Sequence, residues 1–165
     1  MYFSYFPVTY YTLDDRASIQ VVRNIFLRAK INDVIKTNYS LYDEYDVREG
    51  ETPEIVADKF YNTTQLHWII LYMNDILDPR YDWPLTTVNL LRYCQDKYDN
   101  VEGIHHYENT QGYIVKSTYP GAYPVSNYEF EDRLNESKRR IKILKPQFID
   151  VVVNEFVKIF EGVNG

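Results

Sequence analysis

The sequence is poor in cysteine, alanine and glycine, and it has no excess of positive charge. A single cysteine, Cys94, excludes an internal disulfide framework and a zinc site built on cysteines. Only four of the 165 residues are alanine, which argues against an idealised helical bundle, because alanine has the highest helix propensity. Six glycines supply few positions for phosphate-binding loops, and neither a Walker nor a Rossmann glycine pattern occurs.

The charge balance is acidic, with 18 Lys and Arg against 24 Asp and Glu and a net charge of −6. Neutralising phosphates requires clustered Lys and Arg, so we expect no nucleic-acid partner. The longest strongly apolar run, residues 68–73, is too short to span a membrane. The first residues lack a basic segment followed by an aliphatic one, so we expect neither a secretory signal nor a membrane partner.

Aromatic and aliphatic residues are plentiful. Leu, Ile, Val and Phe make up 48 of the 165 residues, which is enough for a packed core. Tyrosine occurs 17 times, and Tyr, Phe and Trp together total 27. A chain of this size does not easily bury so many aromatics in one core. Tyrosine is enriched at protein interfaces because its ring buries area while its hydroxyl stays hydrogen-bonded. This composition suits a component of an assembly.

The clearest local signals lie in residues 42–74. A short strand around Tyr45 and Val47 is followed by a turn at Gly50. Thr52 then suits the N-cap of a helix, with Pro53 at its first position and an acidic residue beside it. A polar break at residues 62–64 separates this helix from a second one over residues 65–73, which is apolar almost all round and should therefore be buried.

Outside this stretch the patterns predict further short elements. Residues 1–15 read as an aromatic, turn-like segment that packs on its own domain or docks on a neighbour. We expect a strand over about 19–26 and a short helix through Lys36. A third helix should run from Thr86 or Thr87 to about Lys97, with Val88, Leu91 and Tyr93 or Cys94 facing inward. Residues 105–116 indicate β-structure around a turn, residues 128–144 a hairpin with its turn at 135–137, and the segment from Pro146 a terminal helix.

No constellation of reactive residues stands out. His105 and His106 are adjacent, so on a strand they point to opposite faces and cannot both bind one metal ion. His67 lies inside an apolar helix and Cys94 on a predicted helix, positions typical of a satisfied histidine and an inert thiol. The five acidic residues between positions 43 and 51 lack the spacing of a calcium-binding loop. They form either a solvated face or an ionic contact with a basic partner. We therefore expect no catalytic residue, metal site or cofactor, and no enzyme.

Residues 45–74 resemble a lysin-motif (LysM) repeat, a module with a βααβ core. The matching positions are Tyr45, Val47, Gly50, Glu51, Thr52, Val56, Ala57, Lys59, Phe60, Thr63 and Asn74. The sequence departs from the LysM pattern at three points. Pro53 replaces the usual Leu, and Tyr61 stands where Gly is common. The closing strand is missing, and Pro84-Leu85 is the nearest match to it. The resemblance implies a groove for N-acetylglucosamine polymers, in which Tyr81 and Trp83 form either a sugar platform or part of a filled, protein-facing surface.

A second resemblance covers nearly the whole chain. The segments that carry this resemblance are Phe6-Pro7, residues 45–47 with 50–54, residues 67–70, residues 74–79, residues 82–85 and residues 138–146. In this order they resemble the LysM-like baseplate wedge subunit of T-even-type contractile-tailed phages. The resemblance implies a structural protein of the virion tail baseplate, made in the host cytoplasm. It would join wedges into a sixfold baseplate, in several copies, through other wedge proteins and a sheath-initiator-type subunit. Sugar binding is the alternative function.

These observations predict an α+β fold with a small LysM-like βααβ core, an N-terminal extension, and a C-terminal β-hairpin followed by a terminal helix. We expect the extension in residues 1–40, the core and its following helix in 41–98, and the C-terminal β-structure and helix in 99–165. The residues expected to contact partners are aromatic and lie mostly outside the core: Phe3, Tyr5, Phe6, Tyr10, Tyr81, Trp83, Tyr119, Tyr123, Phe156 and Phe160.

Overall fold

A computed structural model describes the backbone of residues 6–11, 20–23 and 33–161. Helices and short strands occur partly in runs of one type, and the strand pairs are antiparallel, which confirms the predicted α+β class. The strands are β1 (Val8–Tyr11), β2 (Gln20–Arg23), β3 (Tyr42–Asp46), β4 (Ile104–Glu108), β5 (Ile114–Val115), β6 (Tyr123–Ser126) and β7 (Arg140–Leu144). The helices are α1 (Asp33–Thr37), α2 (Pro53–Tyr61), α3 (His67–Met73), α4 (Thr87–Lys97), α5 (Asn127–Ser137) and α6 (Ile149–Glu161), with 3-10 turns at Thr64–Leu66 and Pro146–Phe148.

The residues of the chain pack into two units. Unit 1 takes its residues from Met1–Tyr45, Thr52–Leu77 and Lys142–Gly165, and unit 2 takes Asp46–Glu51 and Asp78–Ile141. Almost all of unit 2 is thus one continuous segment between α3 and β7. The division into segments 1–40, 41–98 and 99–165 stays a prediction, because packing groups do not by themselves define independently folding domains.

The N-terminal part of unit 1 contains an antiparallel two-stranded ribbon. Val8 pairs with Arg23, and Tyr10 with Val21. The strand predicted over 19–26 is therefore present as β2, whereas residues 8–11 form a strand where only a turn-like segment was expected. The short helix through Lys36 is also confirmed, as α1.

The two central helices form as their local signals predict. The Thr52 hydroxyl caps α2 by accepting a hydrogen bond from the backbone of Ile55, and Pro53 occupies the first turn. The helix ends at Asn62, which adopts the left-handed conformation with a φ of 54° that glycine or asparagine tolerates best. In α3, Trp68, Ile69, Ile70 and Met73 are buried, which confirms the expectation of a buried second helix.

The strand that closes the βααβ order is β7. It forms a two-stranded sheet with β3. Lys145 N donates to Leu41 O and Val47 N donates to Arg139 O, both at 2.9 Å, so the two strands run antiparallel. The order β3–α2–α3–β7 is a βααβ arrangement, but its last strand was predicted as an arm of the C-terminal hairpin, outside the core. That strand follows unit 2 instead of following α3 directly. The LysM-like character of the core stays a prediction.

The predicted hairpin over 128–144 is wrong. Residues Asn127–Ser137 form α5, and only Arg140–Leu144 form a strand. The Ser126 hydroxyl accepts a hydrogen bond from Glu129 N at 3.1 Å, so a Ser with an acidic residue three positions later starts this helix. Residues 135–137, expected to be the hairpin turn, are the last turn of α5.

Helix α4 has the predicted bounds but a different buried face. The Thr86 hydroxyl caps the helix by accepting from Asn89 N, and the helix ends at Lys97. Leu90 and Cys94 point inward, whereas Val88 and Leu91 are 68% and 42% exposed. The inward face of α4 is therefore Leu90 and Cys94, one residue away from the predicted Leu91.

Unit 2 also contains a three-stranded sheet in the order β5–β4–β6, with both pairs antiparallel. The turn between β4 and β5 falls in residues 109–113, as predicted. Asn135, buried at the end of α5, fixes the segment before α4 because its amide hydrogen-bonds both backbone groups of Leu85, at 2.7 and 3.0 Å.

The main apolar cluster lies in unit 1. It contains Phe6, Tyr42, Trp68, Ile69, Met73, Leu144, Val152 and Phe156. The ring centroids of Trp68 and Phe156 are 4.7 Å apart, so α6 contributes directly to this core. The terminal helix predicted after Pro146 is confirmed. Within the described residues, every helix is too short or too polar to traverse a lipid bilayer.

Candidate functional site

The aromatic residues predicted to contact partners fall into three groups. Four lie at the surface, namely Tyr10, Tyr81, Tyr119 and Tyr123, with exposed fractions of 75, 58, 50 and 38%. Three are buried, namely Phe6, Trp83 and Phe156, which are 2–5% exposed and stabilise the interior. The side chains of Phe3, Tyr5 and Phe160 lie outside the described residues. The contact role of all ten stays a prediction, and the four surface tyrosines have the placement that it requires.

Tyr81 and Trp83 do not form an open aromatic platform. The Trp83 side chain is 5% exposed, and its indole N–H donates to Glu51 O at 2.8 Å. Only Tyr81 presents its ring to solvent, with the Arg80 guanidinium 5.7 Å from the ring centroid. A sugar ring would therefore meet one exposed aromatic here instead of two.

A buried carboxylate, Glu108, is the centre of a polar cluster in unit 2. It accepts hydrogen bonds from Arg133 at 2.8 Å, His106 at 2.9 Å and Tyr123 at 3.0 Å. The bonds from Arg133, His106 and Tyr123 lower the pKa of Glu108 to about 2. Glu108 is thus a permanent anion whose oxygens are used by the fold, so it is a poor general acid.

A second buried carboxylate, Glu131, joins α5 to α4. Its Oε1 accepts from Lys97 Nζ at 2.7 Å and from the Tyr98 hydroxyl at 2.6 Å. Burial alone would raise the pKa of Glu131, but these two hydrogen bonds outweigh it and the pKa lies below its usual range. Burial likewise raises the pKa of the nearby Cys94, which therefore stays a protonated, inert thiol.

The histidines are engaged within the fold. His67 Nδ1 lies 2.9 Å from Thr64 O. The His105 ring stacks on Phe130 with centroids 3.9 Å apart, and its Nδ1 lies 2.8 Å from His106 Nδ1. Among the described residues, no group of three or more His, Cys, Asp or Glu side chains is arranged to hold a metal ion.

A cleft runs along α4 in unit 2. One cavity of about 460 Å³ adjoins another of about 290 Å³, and both are lined by Tyr81, Leu85, Tyr93 and Lys97. The two cavities together are called the α4 cleft below. Apart from Tyr81, its lining residues were not among the predicted contact residues. They come from a loop, from α4, which follows that loop, and from α5 with the residue after it, which are distant in sequence.

The sequence reasoning also missed an exposed apolar face on the β1–β2 ribbon. Val8, Tyr10 and Val21 lie on one face because Tyr10 and Val21 are directly paired and Val8 is two residues from Tyr10. Val8 and Val21 are 47 and 64% exposed. The sequence could have indicated this face if residues 8–11 had been predicted as a strand, because successive side chains of a strand point to opposite faces.

Exposed aromatic and apolar surfaces, together with buried carboxylates fixed as anions, are typical of a structural protein that works through its surfaces in an assembly. Comparison with known proteins places the chain more closely. The model of the Base plate wedge protein 53 family matches residues 1–119, and the chain belongs to that family. It is similar to the baseplate wedge protein gp53 of Enterobacteria phage T4, with 27% identity over 142 residues that cover 71% of this chain and 72% of the relative.

Family and relative confirm the predicted T-even-type baseplate wedge subunit. The chain is a structural subunit of a baseplate wedge in a contractile phage tail. It associates with other baseplate components, and its place is the tail baseplate of the virion.

Proposed function

We propose that this chain ties neighbouring wedges into the sixfold baseplate through protein–protein contacts and that it does so without catalysing a reaction. The proposed partners are the other wedge proteins and a sheath-initiator-type subunit, with several copies of the chain in each baseplate. We further propose that it is made in the host cytoplasm and joins the wedge there.

The observation that carries this proposal is the exposed face of the β1–β2 ribbon. A two-stranded ribbon alone is marginally stable in water, and here one of its faces presents Val8, Tyr10 and Val21 to solvent. Large apolar side chains exposed together favour a surface that another protein covers. Arg23 secures the ribbon from within the chain, because its guanidinium donates to Phe6 O at 2.8 Å.

The test is assembly of purified wedge proteins with variants of this face. Tyr10→Lys and Val21→Lys should leave single wedges intact and sharply reduce sixfold baseplates counted by electron microscopy. Thr9→Lys is the matched control, since Thr9 is exposed on the opposite face of the same strand. The proposal fails if wedges join equally well with the variants, or if they join when the chain is omitted.

A further inference from the structure

The α4 cleft is basic although the chain as a whole is acidic. Four cationic side chains line it, Arg80, Arg92, Lys97 and Lys138, against two acidic ones, Asp96 and Glu131. Across the whole sequence acidic residues outnumber basic ones, 24 to 18. The cleft therefore concentrates positive charge on one surface of a negative protein.

Three of these cations already have partners inside the unit. Arg80 is held by the Asp78 carboxylate through two hydrogen bonds, of 3.0 and 2.9 Å. Lys97 is paired with Glu131, and Lys138 donates to the backbone oxygen of Tyr81 at 2.7 Å. Arg80 and Lys97 thus face carboxylates, whereas the Lys138 ammonium is bonded to a neutral backbone oxygen.

Arg92 differs from the other three. It is exposed on α4, and among the described residues it has no hydrogen-bond or ion-pair partner. Asn89, three positions earlier and thus on the same face of the helix, also has a side-chain amide without a partner there. A guanidinium whose N–H groups are not engaged can bind a carboxylate through two parallel hydrogen bonds.

The wall beside Arg92 is apolar. Tyr81 and Tyr93 contribute rings, and Leu85 contributes a half-buried side chain whose backbone is fixed by Asn135. A volume of about 460 Å³ lies in the range of clefts that accept a few side chains. Opposite this apolar wall, the Arg92 guanidinium has no partner among the described residues.

We propose that the α4 cleft receives a segment of another wedge protein that carries a carboxylate beside a large aliphatic or aromatic side chain. The carboxylate pairs with Arg92 and accepts from the Asn89 amide, while the apolar side chain packs on Tyr81, Leu85 and Tyr93. Arg92 and Lys138 are the two cations of the cleft without a carboxylate partner among the described residues. This is too few for a nucleic-acid backbone, which requires several phosphates to be neutralised together. A sugar would find a single exposed aromatic ring.

This inference rests on the proposed assembly role, because the occupant is taken to be a wedge protein, and it is tested in assembled wedges of the full-length chain. Asp96, which lines the cleft but makes none of the proposed contacts, is replaced by the photo-crosslinking residue p-benzoylphenylalanine, and the adduct is mapped by mass spectrometry. We expect attachment to another wedge protein within a few residues of an Asp, a Glu or a terminal carboxylate. Arg92→Glu should reduce that adduct about tenfold or more, because it replaces attraction by like-charge repulsion. Reversing the mapped acid to Arg should restore it.

Lys116→Glu is the matched control, since it makes the same charge change at an exposed residue outside the cleft and should leave the adduct unchanged. Melting temperatures equal to that of the parent chain verify folding of both variants. No adduct, an adduct unaffected by Arg92→Glu, or attachment to a second copy of this chain, to DNA or to a saccharide overturns the proposal. The proposed assembly role fails separately, if wedges join without the chain.

Discussion

The side-chain amide of Asn74 hydrogen-bonds both backbone groups of Lys142, 68 residues further along the chain. Asn74 Nδ2 donates to Lys142 O at 2.9 Å, and Lys142 N donates to Asn74 Oδ1 at 2.7 Å. The same Nδ2 donates to Ile70 O at 2.8 Å. One side chain therefore fastens the end of α3 to the closing strand β7.

Asn74→Ala should lower the free energy of unfolding by about 2–3 kcal/mol, because it leaves partly buried backbone groups of Lys142 without these partners. Urea unfolding measures the change. Asn38→Ala is the control, since the Asn38 side chain accepts one exposed hydrogen bond, from Ser40 N, and its loss should cost about 0.5 kcal/mol or less. Equal losses from the two variants would show that the bonds to Lys142 do not stabilise unit 1.

Trp68→Ala should destabilise unit 1 by about 3–5 kcal/mol, the usual cost of truncating a buried aromatic. Trp68 is 2% exposed and packs on Phe156 from the terminal helix. Leu77→Ala, at a side chain 80% exposed, is the control and should change stability little. A melting temperature of Trp68→Ala equal to that of the parent would contradict the position of this ring in the core.

Acid should weaken unit 2 through Glu108. The pKa of this carboxyl falls from 4.5 to about 2 on folding, so its contribution is full above pH 4.5 and is lost as the pH falls toward about 2. Glu108→Gln should therefore reduce stability at pH 7 and flatten the decline between pH 4.5 and 2, measured by urea unfolding across that range. The exposed Glu102→Gln should leave the decline intact. An unchanged decline in Glu108→Gln would rule out this residue as its source.

Tyr119→Ala should spare folding and weaken assembly, if the turn-rich aromatic loop that the sequence predicts over residues 119–124 contacts a neighbour. The Tyr119 side chain is half exposed. The Tyr119 backbone N–H donates to Lys116 O, and its backbone oxygen accepts from Ala122 N. The measurements are the melting temperature and the fraction of the chain that enters wedges. Tyr113→Ala, also exposed but outside the predicted loop, is the control. Tyr123→Ala is a poorer probe, because the Tyr123 hydroxyl donates to Glu108 and its removal should affect folding as well.

Titration of the full chain with a chitin pentamer should give no saturable response at millimolar sugar. The reason is that Trp83 is buried and its N–H is already hydrogen-bonded, which leaves Tyr81 as the exposed ring of the pair. Chemical shifts of the loop around Tyr81 are the measurement. Saturable shifts that Tyr81→Ala abolishes would support the alternative, sugar-binding function.

Local signals predicted the elements whose boundaries are set by neighbouring residues. Thr52 and Pro53 identify the start of α2, and Thr86 that of α4, because a cap acts within one turn of its own helix. The same type of signal was present at Ser126, but the β-branched residues that follow α5 favoured a hairpin over the whole segment. The error came from reading two adjacent elements as one.

The closing strand could not be located from the sequence, because what defines it is distant. The composition of β7 predicts a strand. However, its partner strand β3 and the Asn74 side chain that bonds to it both lie before the long segment of unit 2 in the sequence. The α4 cleft escaped prediction for a similar reason. Arg92 is an ordinary surface residue in the sequence. The loop at Tyr81 makes it one wall of the larger cavity, and α5, distant in sequence, lines the smaller cavity beside it.

The separation of β3 from β7 also bears on how the chain is made. Val47, directly after β3, bonds to Arg139, which the ribosome adds 92 residues later. At about 5–20 residues per second, β3 waits roughly 5–20 s for its partner strand. During that time its backbone is open to pairing with other nascent chains. Three of its five residues are acidic and exposed, Asp43, Glu44 and Asp46, so two such strands repel each other. We therefore expect the acidity of β3 to disfavour pairing between growing chains until β7 has been synthesised.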